Sequence, residues 1–143
     1  MNNPTEYQQA VLFLVDDDDV DYMAVERAMQ KMRLLNPLVR ARDGQTALEM
    51  LRSGEVQGAF IILLDLNMPR MNGLEFLAAL RADPHLSSSV VFVLTTSRSD
   101  EDKVAAYSFN VAGYLVKHNI NEEFSNIINM LDGYWRIVEL PKI

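Results

Sequence analysis

Residues 60–65 read FIILLD: five apolar residues without a break, then an aspartate. A short run that is continuously apolar, not alternating, fits a strand buried on both faces, as in a parallel sheet covered by helices on either side. Three more runs repeat the pattern. VLFLV (11–15) ends in Asp16 and Asp17, VVFVL (90–94) in Thr95 and Thr96, and GYLV (113–116) in Lys117; PLVRA (37–41), opened by Pro37, is a weaker fifth. Between them lie residues at helical spacing: Val20, Ala24, Ala28 and Met32; Ala47, Leu48 and Leu51; Leu74, Leu77, Ala78 and Arg81; Val104, Ala105 and Phe109. Ser99, with Asp102 three residues on, marks a helix start of the capping-box kind. The alternation predicts an α/β doubly wound sheet of five parallel strands with five helices.

Each strong run ends in a polar residue of a reactive type. Right-handed crossovers put all strand C-termini on one edge of a parallel sheet, and such sheets bind ligands at that edge. Asp16, Asp17, Asp65, Thr95 and Lys117 therefore converge on one predicted site, whereas Asp18, Asp19 and Asp21 are read as caps and first-turn acids of the helix that follows. Two unit charges ~4 Å apart repel by about 4 kcal/mol at an effective dielectric of ~20. Three converging carboxylates must take up protons or a cation, and Mg²⁺, which takes carboxylate oxygens, keeps waters and is completed by phosphate, fits best. Lys117 can pair with Asp65 at rest and with a phosphoryl group afterwards. The set suits phosphoryl transfer onto a carboxylate nucleophile.

The rest of the chain limits the alternatives. At 143 residues, with 49% apolar and 23% charged residues, it has the size and composition of one globular domain. The longest apolar stretches are far short of the ~18 residues of a membrane span, and no basic segment leads into an apolar one at the start, so a cytoplasmic location without membrane contact is expected. A net charge of −7 with scattered Lys and Arg argues against a nucleic-acid surface. The absence of cysteine removes thiolate and disulfide chemistry.

The stretches LVDDD, ARDGQTALEML, IILLDLNMPRMNGLEFL, RADPHL, VVFVLTTS and GYLVKH resemble, in order and spacing, the receiver domain of two-component response regulators. The resemblance spans about residues 9–131 of a single domain covering 1–143. It implies a flavodoxin-like sheet of strand order 2-1-3-4-5, with Asp65 as phosphoacceptor from a histidine kinase or phosphotransfer protein. Asp17 and Asp65 would bind Mg²⁺ directly, Asp16 mainly through water, and Asn67 through its backbone carbonyl. Thr95 and the Thr96 N–H would hold the phosphoryl oxygens with Lys117. Tyr114 matches an aromatic switch position that responds when Thr95 moves.

This chain departs from the family's usual pattern at two places. His118 stands where proline usually follows the lysine in a cis peptide, and Thr96 replaces a small residue, whose added bulk is expected to slow phosphotransfer and hydrolysis. The stripe Ile120, Phe124, Ile127, Ile128, Leu131, Trp135 and Val138 is longer than the sheet needs, so Tyr134, Trp135, Ile137 and Val138 (within 132–143) are expected to form a homodimer or partner surface, the alternative being a tail folded back on its own domain. The ending YWRIVELP resembles stand-alone receivers serving phytochrome-like histidine kinases, which makes a bacteriophytochrome a candidate partner. No part of these 143 residues remains for an output domain, which implies signalling by contact and not enzymatic turnover. Competing readings are a pseudo-receiver adaptor that is never phosphorylated, a haloacid-dehalogenase-like phosphatase through Asp16, Asp18 and Val20, and a calcium loop. The last has Tyr22 and Ala28 where glycine and an acid are needed.

Overall fold

The computed structural model describes residues 10–117 and 120–143, the latter with side chains from Phe124 onward. Strands β1 (Val11–Val15), β2 (Leu38–Ala41), β3 (Phe60–Leu64), β4 (Val90–Thr95) and β5 (Gly113–Val116) alternate with helices α1 (Asp19–Lys31), α2 (Gly44–Ser53), α3 (Gly73–Ala82), α4 (Asp100–Ser108) and α5 (Ile120–Ile137). All strand pairs are parallel, in the order β2-β1-β3-β4-β5, the flavodoxin-like arrangement. All five residues of β3 are buried, as its unbroken apolar run requires. Phe60, Ile62 and Leu64 face a core closed by α2, α3 and α4, including Leu48, Phe76, Leu80 and Ala106. Ile61 and Leu63 face a second core with Val25, Met29, Ile128 and Leu131 from α1 and α5. Among the described residues no helix is long and apolar enough to cross a membrane.

The ladder runs one residue past the strands. Asp16 N–H donates to the Ala41 carbonyl (3.0 Å), Asp65 N–H to Val15 (2.9 Å) and Lys117 N–H to Thr95 (2.8 Å). The residues that carry the predicted chemistry are thus fixed by sheet hydrogen bonds, not left on free loops.

Three helix faces differ from the apolar pattern. The buried face of α1 is Asp21, Val25, Ala28 and Met29, with Val20 exposed. In α3 it is Gly73, Phe76, Leu77 and Leu80, with Ala78 exposed. In α4 Ala106 is buried and Val104 exposed. Apolar residues alone would turn Val20 of α1 inward, but a polar residue, Asp21, holds the first inward position. The expected cap at Ser99 is present, with Ser99 Oγ accepting from Asp102 N–H (3.3 Å), but the Asp102 carboxylate accepts from Ser97 Oγ (2.6 Å) instead of closing the box.

Arg81, read as the end of the α3 stripe, is a polar clamp. Its guanidinium donates to the carbonyls of Phe109 (2.7 Å), Ser87 (2.7 Å), Ser89 (2.7 Å) and Asn110 (3.2 Å), tying α3 to the entry of β4 and the end of α4. Arg81→Ala leaves these carbonyls without their donor and is expected to cost about 3 kcal/mol, read as a lower urea midpoint. Arg81→Lys recovers little, because one ammonium cannot span the fork.

The C-terminal expectation needs correction at Trp135. Its ring is buried in the α1/α5 core, and Tyr134 packs edge-on against Phe92 with centroids 5.1 Å apart. The added helical length finds core because the tail folds back: Lys142 bridges antiparallel to Ala59, and Ile143 exchanges hydrogen bonds with Gly58 (2.7 and 3.0 Å). Ile137, 84% exposed, and Val138 remain on the surface.

Candidate functional site

Asp16, Asp65 and Thr95 are buried at the carboxyl edge of the sheet, and the Lys117 side chain is only 9% exposed. Asp16 Oδ1 accepts from Asp18 N–H (2.9 Å), Asp65 Oδ1 from Asn67 N–H (3.2 Å) and Thr95 Oγ1 from Ser97 N–H (3.3 Å), so each side chain is held by the turn that follows it. Lys117 Nζ lies 3.3 Å from Asp16 Oδ2 and 3.4 Å from Asp65 Oδ2, and it donates most closely to Asp21 Oδ2. Carboxylate oxygens of Asp16, Asp21 and Asp65 lie within 4.8 Å of one another.

Asp21 is therefore a member that sequence reasoning placed wrongly. A first-turn acid ordinarily serves the helix dipole, yet Asp21 is buried at the site. Four aspartates in a row before it hid the signal, which is its i+4 spacing to Val25 on the inward face. Asp17 is exposed and adds no oxygen to the buried cluster; Thr96 and Asn67 are also exposed, beside Thr95 and Asp65. Tyr114 is half-buried and donates from its hydroxyl to the Ser97 carbonyl (3.0 Å), linking β5 to the loop that begins at Thr95. Its phenol pKa is raised, chiefly by burial. His118, and with it the Lys117–His118 peptide bond, lies outside the described residues.

Arg40 supports the site from β2. Its Nε donates to the Asp16 carbonyl (3.1 Å) and its Nη1 to Asp19 (2.6 Å), with the guanidinium 5.1 Å from the Tyr22 ring centroid. Arg42 joins Asp19 at 3.0 Å, so Asp19 is an anchor of the β1–α1 turn, its carboxyl held below the usual range by the Arg40 hydrogen bond.

One ammonium faces three buried carboxylates. Burial pushes the Asp16 carboxyl well above the ordinary range, reinforced by Asp21 and only partly relieved by Lys117. For Lys117 burial works against the charge, but Asp21, Asp16 and Asp65 outweigh it and hold its pKa above the ordinary value. An all-oxygen donor set with excess negative charge fits a hard divalent cation such as Mg²⁺. Because burial raises the Asp16 pKa above its unfolded value, stability in EDTA is expected to fall as pH rises from the carboxylate range toward the raised pKa. Urea midpoints at about pH 5 and about pH 7.5 test the sign, and added Mg²⁺ should flatten the decline.

An acid-rich pocket bridged by lysine, at the carboxyl edge of a 2-1-3-4-5 parallel sheet, defines a class of signalling receivers. The chain belongs to it: a family model for the response regulator receiver domain matches residues 12–129. Response regulator Rcp1 of Synechocystis sp. is 32% identical over 136 residues, covering 92% of each chain. The crystal structure of the phosphorylated cyanobacterial phytochrome response regulator RcpA superposes with a TM-score of 0.84 at 30% identity, covering 93% of this chain and 99% of that one. The Mn²⁺-bound form of Rcp1 gives 0.82 at 31% identity, covering 92% and 99%.

Proposed function

We propose that this receiver takes a phosphoryl group onto Asp65 from a phosphohistidine of a histidine kinase or phosphotransfer protein. A carboxylate oxygen of Asp65 attacks phosphorus, the P–N bond breaks, the imidazole leaves with the electron pair, and an acyl phosphate remains. Mg²⁺ would be held by Asp16, Asp17, Asp65 and the Asn67 carbonyl, and supplies neutralisation of the phosphoryl oxygens. Lys117 exchanges its contact with Asp65 for a phosphoryl oxygen, and Thr95 with the Thr96 N–H takes the others. The observation that carries this reading is the convergence of Asp16, Asp65, Thr95 and Lys117 from four strand ends into one buried cluster.

The Tyr114–Ser97 hydrogen bond supports Tyr114 as the switch: movement of Thr95 toward a phosphoryl group shifts the loop to which Tyr114 is tied, and with it the α4-β5-α5 face. Similarity to phytochrome response regulators supports a bacteriophytochrome-type kinase as the donor. With Trp135 buried and Tyr134 half-buried against Phe92, a homodimer surface at the C-terminal end would rest chiefly on the exposed Ile137 and Val138.

The test is intact mass after incubation with Mg²⁺ and acetyl phosphate. A single phosphoryl adduct is expected, absent in EDTA and in Asp65→Asn; no adduct, with no beryllofluoride binding either, favours the adaptor that is never phosphorylated. Thr96→Ala is expected to speed both formation and loss of the adduct, and unchanged rates would dismiss the bulk argument.

A further inference from the structure

Asp21 has no part in the phosphoacceptor set proposed above, yet it is 2% exposed and makes the closest contact to the Lys117 ammonium. The other two contacts, 3.3 Å to Asp16 and 3.4 Å to Asp65, are long for charge-assisted bonds, which settle at about 2.7–2.9 Å. An ammonium has three donors and no fixed fork, so it moves to whichever acceptors surround it. Here it is drawn toward the α1 side of the pocket and stands back from both Asp16 and Asp65. Asp21 can hold it there because α1 begins at Asp19 and its inward face runs Asp21, Val25, Ala28, which fixes the carboxylate against the sheet edge.

On the phosphoacceptor reading above, we propose that Asp21 is a positioning residue: it draws the Lys117 ammonium away from Asp65 and Asp16, leaving those carboxylates open to Mg²⁺ and to an incoming phosphoryl group. Without it, the ammonium closes onto the two remaining acids and occupies the oxygens the cation requires. Asp21 then acts through Lys117 from within the same carboxylate cluster, one of its oxygens lying within 4.8 Å of those of Asp16 and Asp65.

Asp21→Asn keeps the volume and removes the charge. Calorimetric titration with Mg²⁺ is expected to show affinity weakened about tenfold, the scale on which residues that orient metal ligands act. A second readout follows Lys117 itself in ¹⁵N-lysine-labelled protein, where its ammonium signal, assigned by its loss in Lys117→Arg, should shift in Asp21→Asn before any metal is added. Unchanged Mg²⁺ affinity overturns the proposal, and so does weaker binding with an unmoved Lys117 signal, the pattern of a merely structural loss. Beryllofluoride separates the two readings. If the unsubstituted protein binds Mg²⁺ but no beryllofluoride, the phosphoacceptor reading fails and this proposal with it; if it binds both and Asp21→Asn binds both equally well, only the role of Asp21 fails.

Discussion

Lys117→Met is expected to destabilise the metal-free protein by about 3–5 kcal/mol, the cost of leaving buried charges without their partner. Asp16, Asp21 and Asp65 would then face one another with oxygens within 4.8 Å and no cation among them. For a chain of this length the loss lowers the melting temperature by roughly 10 °C or more. The deficit should shrink as pH falls, because the acids can take up protons, and it should shrink with Mg²⁺, which at a hundredfold excess over its Kd returns about 2.7 kcal/mol. Thermal unfolding in EDTA and in Mg²⁺ checks both. A variant as stable as the parent in EDTA at neutral pH would show that the cluster is neutralised some other way.

Gly73→Ala should cost about 3 kcal/mol and remove the site together with the stability. A Cβ at this first residue of α3 would stand 2.6 Å from the Asp65 carbonyl oxygen and 2.6 Å from Leu66 Cα. Both are backbone atoms and cannot rotate aside, so either α3 withdraws or Asp65 is pushed from its place at the end of β3. The Gly73 N–H also donates to the Leu66 carbonyl (2.9 Å), closing the same turn from the other side. Gly58→Ala is the control: its φ of +82° makes alanine strained by about 1 kcal/mol, but no atom lies within 4 Å of the new Cβ. Loss of phosphoryl acceptance and of urea stability in Gly73→Ala, against a small stability change and intact acceptance in Gly58→Ala, is the expected pair of results.

Strands β1, β3 and β4 were legible because burial on both faces writes itself as unbroken apolar runs, whereas the edge strands β2 and β5 are only partly buried; the residue after each strong run marked the active edge without reference to any helix. Helices were found, but α1, α3 and α4 were rotated from their apolar stripes. In α1 the inward position of Asp21 is set by the pairing with Lys117, ninety-six residues away in sequence, which no local period reports. Arg81 and Arg40 were opaque for the same reason: their value lies in carbonyls of distant loops. Trp135 was misplaced because helix length alone predicts overhang, whereas the return of Lys142 and Ile143 to the start of β3 keeps the end of α5 against the sheet.

Reductive trapping reads most directly whether the Asp65 carboxylate takes the phosphoryl group. After incubation with Mg²⁺ and acetyl phosphate, borohydride converts an aspartyl phosphate to homoserine, which peptide mass mapping locates in the chain. Homoserine at position 65, absent in EDTA and in Asp65→Asn, is the predicted result. Homoserine at Asp16, Asp17 or Asp21, or an adduct that survives Asp65→Asn, would contradict it.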